Sequence, residues 1–313
     1  MVGTSALTGP YPYNVLSGAG GNDQIVGGDG QDFLSGGEGN DTLRDGDNLT
    51  APLNTHDNLN GGNGDDVYIL NSRFTTVAEG ASGGIDVISA AFNMTLPDFV
   101  ENLVMTDGYT SARTGTGNAL GNFITGNQFV NVLLGLAGND LFYGNAGTDT
   151  LQGGSGYDTF FGGSENDFLS GGNQNDLMSG DAGADTLLGG SDSDSLYGGT
   201  QNAVLQGGTG RDVLFGGANA DVFAFLTAAD SAVGANRDMI ADFRSGLDKI
   251  DLLRIAANQI FINSALFSGD GLAEMRYDKS AGILAGDSDG DGSANWQISL
   301  RAGTALTETD LIL

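Results

Sequence analysis

Aspartate is the residue that brings chemistry to this chain, through its spacing. From Gly117 to Ala224 it stands at every ninth position: Asp140, Asp149, Asp158, Asp167, Asp176, Asp185, Asp194, Asp212 and Asp221. The three remaining ninth positions hold Asn122, Asn131 and Ala203. Carboxylate and carbonyl oxygens with no thiolate or imidazole nearby select a hard ion. Flexible oxygen coordination of high number favours calcium (Ca2+) over magnesium. The chain has no cysteine and one histidine, His56, so it cannot build a multi-histidine or thiolate centre. His56, flanked by Thr55 and Asp57, reads as a solvated turn residue.

The elements that must position these carboxylates repeat with them. GLAGNDLFY (135–143), GNAGTDTLQ (144–152), GGSGYDTFF (153–161) and GGSENDFLS (162–170) follow G-G-x-G-x-D-x-U-x, with U a large apolar residue. Position 8 carries Ile124, Leu133, Phe142, Leu151, Phe160, Leu169, Met178, Leu187, Leu196, Leu205, Leu214 and Phe223. Positions 7 to 9 form a short strand whose middle side chain points inward. The glycines at positions 1, 2 and 4 suit turns that need φ > 0. Two nonads make one coil, and coils stack as parallel strands ~4.8 Å apart. Residues eighteen apart then face each other, giving the pairs 140/158, 158/176, 176/194 and 194/212 on one edge. The other edge has 149/167 and 167/185, and Ala203 interrupts it. Stacked carboxylates repel unless a cation lies between them. One apolar residue per nonad is a thin core for a glycine-rich chain, so ion binding has to supply folding free energy. Asn122 and Asn131 are expected to weaken the first coil.

A first block starts near the N-terminus, with nonads in phase from Gly9 to Arg44. Its sixth positions are Asn14, Asp23, Asp32 and Asp41, and its plugs are Leu16, Ile25, Leu34 and Leu43. After the insertion DGDNLTA (45–51) the phase resumes at 52–69 with Asp57 and Asp66. If the insertion loops out, 23/41, 32/57 and 41/66 are complete pairs. From Leu70 to Thr116 the nonad pattern disappears. DVISAAFNMTL and FVENLVM read there as strands that continue the stack or cap it.

Beyond Ala224 glycine thins out, and LLRIAANQI suggests a short helix. DSDGDG places Asp287, Asp289 and Asp291 at alternate positions, like the start of an EF-hand loop. Ile298 stands where an EF-hand has its glutamate, so an irregular calcium loop is expected. The nonapeptide resembles the calcium-binding repeat of RTX (hemolysin-type) proteins. The run DMIADF, GLDKIDL, LAEMRYD, GDSDGDGSANWQISL and LTETDLIL resembles the C-terminal module of serralysin-type RTX proteins. That resemblance implies an all-β chain: a calcium-dependent parallel β-roll, or solenoid, in two blocks plus a β-rich C-terminal module. The expected parts are a roll at 1–69, a spacer at 70–116, the main roll at 117–224 and the module at 225–313. It also implies that Asp310, Leu311, Ile312 and Leu313 serve as an uncleaved signal for type I secretion machinery, and that the protein is extracellular.

Composition bounds the rest. Forty acidic against 11 basic residues give a net charge of −29, which repels nucleic acid and anionic membrane. No apolar run is long enough for a transmembrane helix, and the first residues lack the pattern of a cleavable signal peptide. HExxH needs two histidines, so a zinc protease site is excluded in this chain. G-x-S-x-G occurs as GASGG (80–84) and GDSDG (286–290), in turns with no helix to follow, so no nucleophile elbow is read. Position 5 forms no Thr or Asn ladder of the antifreeze kind. Tyr143, Phe161, Tyr197 and Phe215 are thin candidates for a polysaccharide-binding stripe. The reading is a secreted, non-enzymatic calcium-binding protein that folds outside the cell. Its alternatives are the non-catalytic C-terminal part of a larger secreted RTX enzyme (protease, lipase or epimerase) and a calcium-dependent extracellular adhesin or polysaccharide-binding protein.

Overall fold

Each apolar plug lies directly over the plug two nonads away. In the computed structural model Leu151 pairs with Leu169, Leu169 with Leu187 and Leu187 with Leu205, all in parallel strands. The register makes two nonads one coil, and every plug from Ile124 to Phe223 is fully buried, whereas Leu16 in the first coil is half-buried. The structure describes residues 6–8, 13–46, 56–107, 113–255, 259–262 and 264–313. It divides into two units, Met1–Phe142 and Tyr143–Leu313.

In the first unit one parallel stack runs through Ala6–Thr8, Gln24–Val26, Thr42–Arg44, Val67–Leu70, Val87–Ala90, Asn102–Met105 and Phe123–Thr125. A second stack holds Val15–Gly20, Phe33–Glu38, Asn58–Asn63 and Thr76–Val77. A third holds Met94–Thr95, Arg113–Thr116 and Asn131–Ala137. The insertion is passed over: Leu34 pairs with Leu59 and Leu43 with Tyr68. Its residues 47–51, the start of the following nonad (52–55) and residues 9–12 of the first nonad lie outside the described residues. The spacer region continues the stack, because Ile88 and Leu103 take buried plug positions between Tyr68 and Ile124.

In the second unit one stack runs from Thr150–Ser155 through Phe168–Asn173, Thr186–Ser191, Val204–Thr209, Val222–Ala224 and Lys249–Asp251 to Leu311–Ile312. The other passes from Thr159–Ser164 through Leu177–Ala182, Ser195–Gly199, Val213–Gly217 and Asp238–Ile240 to Trp296–Leu300. There the direction changes. Ile283–Asp287 pairs antiparallel with both Trp296–Leu300 and Glu274–Asp278. Trp296 is fully buried against this hairpin. The helix suggested by LLRIAANQI is not formed in its described part. Residues 253–255 make a turn closed by the Ile255 N–H on the Leu252 carbonyl at 3.0 Å, and 256–258 lie outside the described residues.

The glycines divide their labour differently from the expectation. Positions 2 and 4 take φ > 0, as at Gly154 (φ 109) and Gly156 (φ 139). Position 1 does not require it. Gly162 is glycine because a Cβ there would lie 2.6 Å from Asp167 Oδ2 and 2.9 Å from the Gly180 carbonyl. Position 1 is an empty space kept in front of the aspartate.

Candidate metal centres

Each sixth-position aspartate is buried, and its two oxygens have different surroundings. Oδ1 accepts the backbone N–H of the sixth-position residue one coil earlier. In the second unit these bonds run from Asp149 to Asp167 (2.7 Å), Asp158 to Asp176, Asp167 to Asp185, Asp176 to Asp194 and Asp194 to Asp212 (each 2.8 Å). In the first unit Asp23 donates to Asp41, Asp32 to Asp57 and Asp41 to Asp66, each at 2.7 Å. Asn122 donates to Asp140 at 2.7 Å. The structure thus brings together the pairs expected within each unit, but not as facing carboxylates. A main-chain amide of one residue meets the carboxylate of the next, which removes part of the repulsion that the spacing alone suggests.

Oδ2 is the atom left over. In Asp32, Asp41, Asp167, Asp176, Asp185, Asp194 and Asp212 it is buried with no hydrogen-bond partner. It faces the hollow at the position-1 glycine, whose other wall is a glycine carbonyl from the next coil, as with Gly180 over Gly162. A buried carboxylate oxygen without a donor is costly. Burial is the main cause that pushes Asp167 and Asp176 up to about 7 and Asp194 up to about 8. Neighbouring carboxylates add to it, and the amide bonds oppose it. Paired oxygens of carboxylate and carbonyl type are a donor set for a hard cation, and the residues present fit calcium.

The four sixth positions without aspartate show what the hollow asks for. Asn14 holds a sixth position, and its Nδ2 donates to the Gly27 carbonyl at 3.1 Å and to Asp32 Oδ1 at 2.7 Å. An amide hydrogen stands where charge compensation is needed. Asn122 and Asn131 behave similarly: their Oδ1 atoms accept the N–H groups of Asn118 and Asn127, and their Nδ2 atoms donate to the same residues' side chains. At Ala203 the amide still donates to Asp221 Oδ1 at 2.9 Å, but alanine offers the Asp185 amide no carboxylate, so the ladder loses one rung there.

At Asp221 the compensation is a side chain. Arg244 Nη2 lies 3.3 Å from Asp221 Oδ2 and 3.3 Å from Asp248 Oδ1, and it also donates to the Asn219 carbonyl. A guanidinium supplies the positive charge beside the carboxylates on this coil. Both carboxylates are buried while the arginine is 40% exposed. Arg244→Gln is expected to cost about 1–2 kcal/mol, a buried-pair penalty reduced for the exposed partner. In urea melts at graded calcium the loss should shrink as calcium rises, because the freed oxygens then have another cation.

The other expected residues are placed as follows. Asp287, Asp289 and Asp291 lie with one oxygen each within 4.8 Å of one another. The buried Asp287 already accepts the N–H groups of Gly290 and Gly292 at 2.7 Å, while Asp289 and Asp291 are exposed. Asp310 is buried and accepts Ser245 Oγ (2.7 Å), the Gly246 N–H (2.8 Å) and the Thr307 N–H (2.9 Å). The tail is therefore the last rung of the stack in the folded chain. His56 is exposed, with its ring 5.5 Å from that of Phe74. Tyr143 stacks on Phe161 and Tyr197 on Phe215 at 4.9 and 4.7 Å between centroids. Each stack covers one face of each ring, and Tyr197 stays exposed.

Sequence reasoning missed Glu79, Asp86, Asp238 and Asp248. Asp238 accepts the Asp212 amide and Asp248 the Asp221 amide, so both continue the ladder. Burial and the neighbouring Asp212 push Asp238 up to about 9. The signal was present at other spacings: G-x-D-x-U recurs at Gly84-Ile85-Asp86-Val87-Ile88, 20 residues after Asp66, and at Gly246-Leu247-Asp248-Lys249-Ile250, 27 residues after Asp221.

A parallel β-solenoid with a buried aspartate ladder and oxygen-lined hollows defines a calcium-type repeat module. The family described as Peptidase M10 serralysin C terminal matches residues 13–313, and the chain belongs to that family. Its fold and acidic ladder fit a calcium-binding RTX-type repeat module, and the match is to the C-terminal domain of that peptidase family. In a search of curated proteins none matches.

Proposed function

We propose that this chain is a secreted calcium-binding module whose folding is the calcium response. The observation that carries this reading is the row of buried Oδ2 atoms that lack any donor. With −29 net charge and no ion, the chain favours an expanded state. Extracellular calcium at millimolar levels suits sites of this ligand class, and binding only to the folded chain stabilises it. The residues proposed to hold the ions are Asp23, Asp32, Asp41, Asp57, Asp66, Asp140, Asp149, Asp158, Asp167, Asp176, Asp185, Asp194 and Asp212, with Asp287, Asp289 and Asp291 as a separate loop. Asp221, expected as a ligand, is assigned to Arg244 instead. The bound cation offsets the carboxylate charge, and the amide ladder holds each aspartate so that only Oδ2 faces the hollow. Export by a type I system, read from the C-terminal residues, fits this order of events. Asp310 and Leu311 are buried in the folded chain and are accessible only before it folds.

Far-UV circular dichroism during a calcium titration of chelated protein tests the reading. A cooperative gain of β signal with calcium, and none with magnesium, is expected. Full β signal in chelator would overturn it.

The family favours a second reading, in which the chain is the non-catalytic C-terminal part of a larger secreted enzyme. The intact mass of the secreted species decides between the two. A mass near 31.9 kDa supports the free-standing module, and a larger one the enzyme.

A further inference from the structure

One cluster departs from the repeat pattern. Asp66, Glu79 and Asp86 each place a carboxylate oxygen within 4.8 Å of the others. They come from three neighbouring segments of the first unit, so the cluster is built by stacking and not by one loop. Asp66 Oδ1 is fixed by the Asp41 amide at 2.7 Å, and Asp86 Oδ1 by the Asp66 amide at 2.8 Å. The second oxygens of both are fully buried and accept no hydrogen bond. Glu79 is held by the Gly61 N–H at 3.0 Å and by the Tyr68 hydroxyl, which itself accepts the Gly61 N–H at 2.6 Å.

The hollow is a real one. A Cβ on Gly83 would lie 2.9 Å from Glu79 Oε2, 3.1 Å from Asp86 Oδ2 and 3.2 Å from the Gly80 carbonyl. Glu79 Oε2, Asp86 Oδ2 and a main-chain carbonyl therefore converge on space that glycine leaves open, while Asp66 Oδ2 lines the space at Gly61 beside the Tyr68 hydroxyl. Burial, with the neighbouring carboxylates, pushes Asp66 up to about 7 and Asp86 up to about 6. Glu101 adds further negative charge beside them and accepts the Asp86 amide at 2.9 Å.

We propose that Asp66, the last ladder aspartate of the first block, forms with Glu79 and Asp86 a site for a hard cation of the calcium class, walled by Tyr68, that fills before the ordinary rungs. A rung offers one unpartnered carboxylate oxygen and a carbonyl. This site offers three carboxylates on a fixed frame, and affinity in oxygen sites rises with ligand charge and rigidity. The site uses the same ion as the proposed function but does not need export.

The test is a chelator-buffered calcium titration of the full chain with ion counting, beside terbium titration with emission excited through tyrosine. The wild type is expected to bind one ion about tenfold or more ahead of the rest. Glu79→Gln and Asp86→Asn should each move that ion back among the others. Tyr68→Phe should remove the tyrosine-sensitised emission of the first terbium equivalent. Tyr68→Phe decides the question if the carboxylate variants fold poorly. An unchanged first ion in both carboxylate variants, or unchanged first-equivalent emission in Tyr68→Phe, overturns the site. Should the wild type bind no calcium at all, the proposed function falls as well; rungs that fill normally in variants with an unchanged first ion remove this site alone.

Discussion

In chelator the chain loses its β structure near pH 8 and regains part of it near pH 4, a direction opposite to that of its calcium-bound form. The sign follows from the buried ladder. Burial first, then neighbouring carboxylates, hold Asp167 and Asp176 at about 7, Asp194 at about 8 and Asp238 at about 9 in the folded, metal-free chain. Unfolded, the same groups titrate near ~3.9. Between those values the folded state binds more protons than the unfolded one, so stability falls as pH rises through the window. The proton-linked stability is fully present below about pH 4 and lost by about pH 8 to 9. Calcium replaces the proton as the partner of Oδ2 and requires the ionised form, so with calcium stability rises with pH over the same range. Far-UV circular dichroism across pH, in chelator and in calcium, should give opposite slopes. A chelated chain that is equally or more structured at the higher pH would refute the argument.

Valine at Gly190 is expected to abolish the second roll even in saturating calcium. Gly190 has φ +119, and an added Cβ would collide with the Gly172 carbonyl of the coil beneath. A β-branched residue is barred from that backbone region, and the coil spacing is fixed by the ladder, so neither side can give way. The cost is about 4 kcal/mol or more. Gly20→Ala is the contrast: φ there is not positive, and the nearest atom to a Cβ is 3.8 Å away. Its effect should stay within about 0.5 kcal/mol. Calcium-saturated thermal melts of both variants check the pair, and similar melting of the two would show that the coils are not held at this spacing.

The roll was legible because its two signals, an apolar residue and an aspartate at fixed offsets, reflect a strict geometric repeat. Leu151, Leu169 and Leu187 stack as the nine-residue period requires. The passage of the ladder across the insertion, from Asp32 to Asp57, was readable for the same reason. What was not legible was which atoms meet. Spacing places residues, not their amides, so the N–H to Oδ1 ladder was hidden and facing carboxylates were inferred instead. Arg244 was hidden for a related reason: it reaches Asp221 from 23 positions away, outside the period. Asp86 and Asp248 escaped because their coils close after 20 and 27 residues instead of 18. A stack tolerates longer or shorter returns as long as its strands pair in register.

Under the proposed function, folding and ion binding are one event. Native mass spectrometry over a calcium titration measures both on the same molecules. Two populations are expected: a highly charged, expanded form without calcium and a compact form carrying many ions, with little between them. A compact form that carries no calcium, or only one or two ions, would contradict it.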